Sequence, residues 1–292
     1  TAFSVGTTSE QNTIKGRSSW TQVNGQSGTV HPYELVNLHK AHSFKSGSTT
    51  LTGNGQTVYV MDDGLHNNHD SFNGKTVTML DTPSVKNNDV QHGTHVASTI
   101  AGVIGGTTHG VAPDASLVFS SFADNGTNMA ADIDTARVTH SAIAMNNSWG
   151  YNDSCQIISG QNVCFSSVTW AELLSDANAA GRNIRQELNA SGKTVFNSHT
   201  SAFITALDNF QNSGVIVFAS GNFANDTDVS MMAALPSYFN GTDDSVDLSD
   251  AWLSVMYADF VGSSISSTSD VQRKGNPCGA AKEWCLVVDD HR

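Results

Sequence analysis

The chain has 292 residues, 38% of them hydrophobic, enough for one large α/β domain or two small ones around a real core, and this excludes an intrinsically disordered chain. Acidic residues outnumber basic ones 27 to 14, a formal charge of −13, which speaks against nucleic acid or anionic lipid as the main partner. No apolar run approaches the ~18–20 residues needed to cross a membrane.

The first ten residues, TAFSVGTTSE, carry neither a basic n-region nor an apolar h-region and are not read as a signal peptide. The absence of an initiator Met suits equally an artificial boundary and a mature protein whose leader or pro-segment has been removed. Residues 1–45 are polar and weakly patterned, and are expected to hug the surface as a lead-in. Next, TVYVM (57–61) is a β-branched run ending at Asp-Asp-Gly, which reads as a buried strand and a turn. From His92, the positions Val96, Ile100, Val103 and Ile104 repeat at helical spacing. ASLVFSSF (115–122) is strand-like, 129–141 reads as a helix, and AIAMNNSWG (142–150) as a strand entering a turn. Residues 167–190 and 199–213 look helical, GVIVFASGN (214–222) is an apolar strand and turn, and AWLSVMYADF (251–260) a strand or strand pair. This alternation implies an α/β fold with a mainly parallel sheet and helices on both faces. Functional groups in such sheets gather at the carboxyl ends of strands. Asp62, Ser148 and Asn222 each follow a strand; His92 instead opens a helix.

The four cysteines form two tight pairs, Cys155 and Cys164 around QIISGQNV, and Cys278 and Cys285 around GAAKEW. Neither has C-x-x-C spacing and no His cluster flanks them, so zinc is not expected. Two local disulfides, 155–164 and 278–285, are the simplest reading, and they place the chain in an oxidising, extracytoplasmic compartment.

The stretch DVQHGTHVASTIAG (89–102) puts His92 at the mouth of a smooth helix, with Gly93 allowing another backbone to come close. A buried carboxylate on one imidazole nitrogen would set the tautomer and leave the other nitrogen as a base. Asp62, at the end of a buried strand, is the candidate. Asp63 is its rival, although strand alternation sends the two side chains different ways. Asn222 closes VFASGN, where its amide could donate to a developing oxyanion. Gly150 and Gly221 would leave backbone edges to which an extended peptide could add as a strand.

The motifs VYVMDDG, HGTHVASTIAG, GVAPDASL, NNSWG and VIVFASGN stand in the order found in the subtilisin-like serine proteases, the subtilases, and the chain resembles that family from about residue 50 to 288. The resemblance implies a subtilisin-like fold, with Asp62 and His92 as the triad aspartate and histidine and Asn222 as the oxyanion-hole residue. It also implies that Ser148, Trp149 and Gly150 edge the substrate cleft, and that Ala219, Ser220 and Gly221 wall the primary specificity pocket. His95 matches a structural position. Segment 151–213, read as an enlarged insertion, and NPCGAAKEWCL are similar to those of autotransporter-type and other secreted bacterial subtilases. Asp70 falls where many members ligate calcium, but the loop GVIGGTTHG (102–110) lacks the usual Asn-rich ligands. No cofactor is therefore expected, calcium near Asp70 being the one alternative.

The family's Gly-Thr-Ser-Met-Ala-like nucleophile motif is not found in residues 1–292. Ser263, Ser264, Ser266, Ser267 and Ser269 precede the Cys278–Cys285 stretch, in the wrong place and context. Residues 46–292 are thus expected to be a catalytic domain without its serine-bearing C-terminal segment, inactive alone. One reading is a secreted serine endopeptidase acting on protein or peptide, whose serine lies on a further segment or second chain. The other is an inactive subtilase-like structural or binding module at the cell surface. A metal-binding role is set aside, because the 11 histidines are scattered and the acidic residues show no ligand spacing.

Overall fold

Burial alternation along three segments decides the architecture. In β1 (Thr57–Asp62), Tyr59 and Met61 face one core while Val58 and Val60 face another. β2 is Val77–Met79, and in β3 (Ser116–Ser121) Val118 joins the first core while Leu117 and Phe119 join the second. Side chains of period two on a strand buried on both faces require a layer on each side. Helix α1 (Gln91–Ala101) covers the smaller core through Ala97, with Val96 and Ile100 packed against it. The larger core is covered by α2 (Gly126–Val138), α3 (Trp170–Ala180), α4 (Ile184–Ala190) and α5 (Thr200–Gln211). This computed structural model describes residues 3–21, 31–80, 90–122, 126–193, 195–260, 267 and 270–289.

The remaining strands of the main sheet are β4 (Ala142–Asn147), β5 (Val215–Ala219), β6 (Trp252–Phe260), β7 (Val271–Arg273) and β8 (Cys285–Asp289). Among the described residues the sheet has eight strands, in the order β7-β6-β5-β4-β1-β3-β2, with β8 also on β6. All pairings are parallel except β6 with β7. Ala258 pairs with both Arg273 and Asp289, so β7 and β8 lie on opposite edges of β6. The stretch 251–260 is one nine-residue strand rather than a pair.

The helical stretch 167–190 is two helices, for a reason written locally. Thr169 and Glu172 form a capping box that starts α3, and Gly181 ends it in the left-handed region at φ 63°. Asn183 and Gln186 form a second capping box that starts α4. Before α3, two short ladders form a ribbon: Asn152–Asp153 with Ser166–Ser167, and Gln156–Ile158 with Gln161–Val163. A disulfide joins Cys155 to Cys164 beside this ribbon and another joins Cys278 to Cys285. Loops this short are each stabilised by about 2.5 kcal/mol in the chain-entropy account.

The N-terminal residues begin with a short strand, Phe3–Ser4, paired antiparallel with Lys45–Ser46, and continue as four short helices, Thr8–Lys15, Ser18–Thr21, Pro32–Leu35 and Leu38–Ser43. Each helix brings one apolar residue, Ile14, Trp20, Tyr33 and Leu38, to a small core of their own. Helices this short leave no run long enough to show a period, which is why the stretch reads as unpatterned. No helix among the described residues is long and apolar enough to cross a membrane. Of the five serines before the second cysteine pair, Ser263, Ser264, Ser266 and Ser269 lie outside the described residues. Ser267 is exposed.

Candidate active site

Asp62 ends β1 with the same parity as Val58 and Val60, so its side chain lies on the α1 side of the sheet. There His92, in the first turn of α1, meets it: Nδ1 is 2.7 Å from Asp62 Oδ1. Asp62 is fully buried while the His92 side chain is 51% exposed. An ionised carboxylate only accepts, so Nδ1 carries the proton and Nε2 keeps its lone pair. Asp62 Oδ1 also accepts from the Asp63 N–H at 2.8 Å. Oδ2 is buried and has no hydrogen-bond partner among the described residues.

Asp63 does something different. Its Oδ1 accepts from the N–H groups of Gly93 at 2.9 Å and Gly64 at 2.6 Å. Val90, at the N-cap position of α1, makes no side-chain cap bond, so Asp63 satisfies one of the orphan donors that every helix start exposes. Burial pushes the Asp63 carboxyl above the usual carboxylate range, against the lowering effect of these two N–H groups. Gly93 permits the approach of the Asp-Asp-Gly turn: a Cβ there would lie 2.2 Å from the Gly64 carbonyl oxygen.

His92 opens onto a cleft of ≈ 620 Å³ that is also lined by Asn222. Of the expected wall residues, Ser148, Trp149, Gly150, Ala219 and Gly221 line it too. Ser220 turns away: it is buried and its hydroxyl donates to the Asn276 carbonyl at 3.2 Å. Trp149 packs against Phe122, Phe218 and Tyr151, with ring centroids at 5.2, 5.7 and 6.5 Å. His95 and Val96 lie on the cleft as well. Asn152, Ser167, Ser230 and Tyr257 complete the lining and were not expected from the sequence. Asn152 and Ser167 arrive on the ribbon beside the first disulfide, and no local pattern announces a wall built from a paired ribbon.

For a metal, the described residues offer one cluster: ligand atoms of Asp62, Asp63 and His92 within 4.8 Å of one another. Asp63 Oδ1 there already accepts two N–H groups. Asp70 starts a short 3-10 turn, Asp70–Phe72, and accepts from Asn73 Nδ2 at 3.5 Å. No group of three or more His, Cys, Asp or Glu among the described residues gathers around it.

The profile of the subtilase family, Peptidase S8, matches residues 53–289. An alkaline proteinase of Hapsidospora chrysogena is 29% identical over 187 residues, 58% of this chain and 44% of that protein. An alkaline serine exoprotease A of Vibrio alginolyticus is 32% identical over 188 residues, 60% of this chain and 34% of that protein. The chain therefore spans less than half the length of these two relatives. Among solved structures, a cold-adapted subtilisin-like serine proteinase is 20% identical, with a TM-score of 0.42, 84% of this chain and 66% of that chain being covered.

Proposed function

This chain belongs to the subtilase family, and on that premise we propose that it carries the base and oxyanion half of a secreted serine endopeptidase. The observation that carries the reading is the 2.7 Å contact of His92 Nδ1 with the buried Asp62 carboxylate, beside a cleft shared with Asn222. Protein or peptide is the substrate. The nucleophile is a serine hydroxyl supplied from outside residues 1–292, by a further segment or a second chain. His92 Nε2 takes the serine proton as the hydroxyl attacks the scissile carbonyl, and Asp62 stabilises the imidazolium that forms. The Asn222 amide donates to the oxyanion of the tetrahedral intermediate. The imidazolium then gives its proton to the leaving amine, and water hydrolyses the acyl group by the same route. Ser148–Gly150 and Ala219–Gly221 bind the extended peptide on either side.

Exposure of β8 supports a partner for this half. Leu286, Val287 and Val288 remain 51%, 45% and 39% exposed. At about 25 cal/mol per Å², covering the roughly 200 Å² that these three residues expose would contribute about 5 kcal/mol. The two disulfides support secretion.

The test is labelling by a fluorophosphonate. Residues 1–292 alone should not label. A protein extended through a Gly-Thr-Ser-bearing segment should label, and His92→Ala should abolish it. Strong labelling of the 292-residue chain would place the nucleophile on one of its own serines. Absence of any such segment, with no labelling, would favour the inactive cell-surface module.

A further inference from the structure

Asn276 is buried completely, yet none of its polar groups is idle. Its backbone N–H donates to the Gly221 carbonyl at 3.1 Å, and its own carbonyl accepts from Ser220 Oγ at 3.2 Å. Its side-chain Oδ1 accepts from the Phe223 N–H at 3.0 Å and from Ser167 Oγ at 3.4 Å. Nδ2 donates to Asp226 Oδ2 at 2.8 Å and to the Asp228 carbonyl at 3.0 Å. The amide orientation is chemically forced. A backbone N–H can only donate and a carboxylate can only accept, so the oxygen must face Phe223 and the nitrogen must face Asp226.

These bonds fall on either side of Asn222. Ser220 and Gly221 before it and Phe223 after it are all held by Asn276, while Asn222 itself is exposed on the cleft. Gly221 has a φ of 116°, and a Cβ there would lie 2.3 Å from Asn276 Oδ1. The glycine is thus the residue that lets the amide sit against the loop. The same amide reaches the opposite wall, because Asp226 Oδ2 also accepts from the Ser167 N–H at 2.8 Å.

We propose that Asn276 is a positioning residue of the oxyanion site: it clamps the backbone on both sides of Asn222 and thereby aims the Asn222 amide into the cleft. The inference rests on the reading of Asn222 as the oxyanion donor. The clamp acts through pre-organisation, since a donor that must reorient during the reaction loses its advantage over water.

Two experiments separate the clamp from the reading beneath it. In the serine-bearing protein, Asn222→Ala should lower kcat about 10²–10³-fold. Asn276→Ala should lower kcat about 10–100-fold while KM moves less than about threefold, because only a transition-state interaction is weakened. In the Asn222→Ala background, Asn276→Ala should lower kcat by no more than about twofold, since the group it aims is gone. An equal loss in both backgrounds would make Asn276 merely structural and overturn the proposal. Asn276→Asp, of the same shape but with an acceptor facing Asp226 and the Asp228 carbonyl, should behave like Asn276→Ala; wild-type kcat in it would also overturn the proposal. The second experiment needs no activity. Hydrogen exchange in the 292-residue chain should show the Phe223 amide at least about 10-fold faster in Asn276→Ala or Asn276→Asp, with Val217 in β5 unchanged. Unchanged Phe223 exchange in either variant sinks the clamp. Fast Phe223 exchange together with a kcat indifferent to Asn222→Ala sinks instead the oxyanion reading.

Discussion

Acid should loosen the attachment of the N-terminal helices, through a buried pair of histidines whose proton positions can be deduced. His42 Nε2 lies 2.7 Å from the Val111 carbonyl, which only accepts, so that nitrogen carries the proton and Nδ1 is bare. His109 Nε2, 3.3 Å away, donates to it. His109 Nδ1 is then left to accept from Ser19 Oγ at 3.1 Å, and Ser19 Oγ accepts the Gly105 N–H at 3.1 Å. The two rings cannot both be charged, because His42 Nδ1–H would then face His109 Nε2–H. His109 is fully buried, with Trp20 edge-on at 5.4 Å. Burial first, then the charges of His42 and Arg17, pushes it down from 6.5 to about 4. Burial also lowers His42, against the pull of the Val111 carbonyl and Asp114. The unfolded chain takes the His109 proton near pH 6.5 and the folded chain only near 4, so between these values the unfolded state holds more protons. Stability is full above pH 6.5 and falls as pH falls toward 4. At about 1.4 kcal/mol per pH unit the whole loss is about 3 kcal/mol, and about 2 kcal/mol of it is spent by pH 5. That is a large part of the ~5–15 kcal/mol that a domain usually has. Urea unfolding at pH 7 and pH 5, for wild type and His109→Gln, measures it. The variant should start less stable at pH 7 but lose about 2 kcal/mol less between the two. Equal losses in both proteins would refute the neutral-pair argument.

Gly93→Ala should lower stability by about 2–3 kcal/mol in urea unfolding, because its Cβ would meet the Gly64 carbonyl oxygen at 2.2 Å and the backbone must move. Asp62→Asn should cut kcat of the serine-bearing protein by about 10⁴-fold with little change in KM, as the His92 tautomer is no longer held. A kcat within tenfold of wild type would remove Asp62 from the triad. Loss of the Cys155–Cys164 bond by double Ser substitution should open the exposed ribbon around Ile157 to protease and cost no more than the about 2.5 kcal/mol of loop closure. Loss of Cys278–Cys285, which closes a turn packed on the large core through Ala281, should cost about 2–3 kcal/mol.

What could be read from the sequence alone was local. The buried run of β1 and its parity place Asp62 on the α1 face. The helical spacing after His92, the strand before Asn222 and the adjacency of each cysteine pair are likewise patterns of a few residues and reappear in the fold, except that α1 ends at Ala101, so Val103 and Ile104 lie past the helix. The break between α3 and α4 was legible too, in Gly181 and Asn183, but a continuous apolar period hid it. The separate tasks of Asp62 and Asp63 were only half legible: alternation parts their side chains, but the α1 N-terminus that Asp63 caps comes from 30 residues away. Other features were decided by tertiary structure. Ser220 is turned inward by Asn276, 56 residues on, and Ser19 meets His109 across 90 residues. The far wall of the cleft stands on a ribbon paired with itself. The physical reason is that burial periodicity and helix caps are written at spacings of two to four residues. A hydrogen bond between distant segments depends on which faces the packed layers bring together, and leaves no period in the chain.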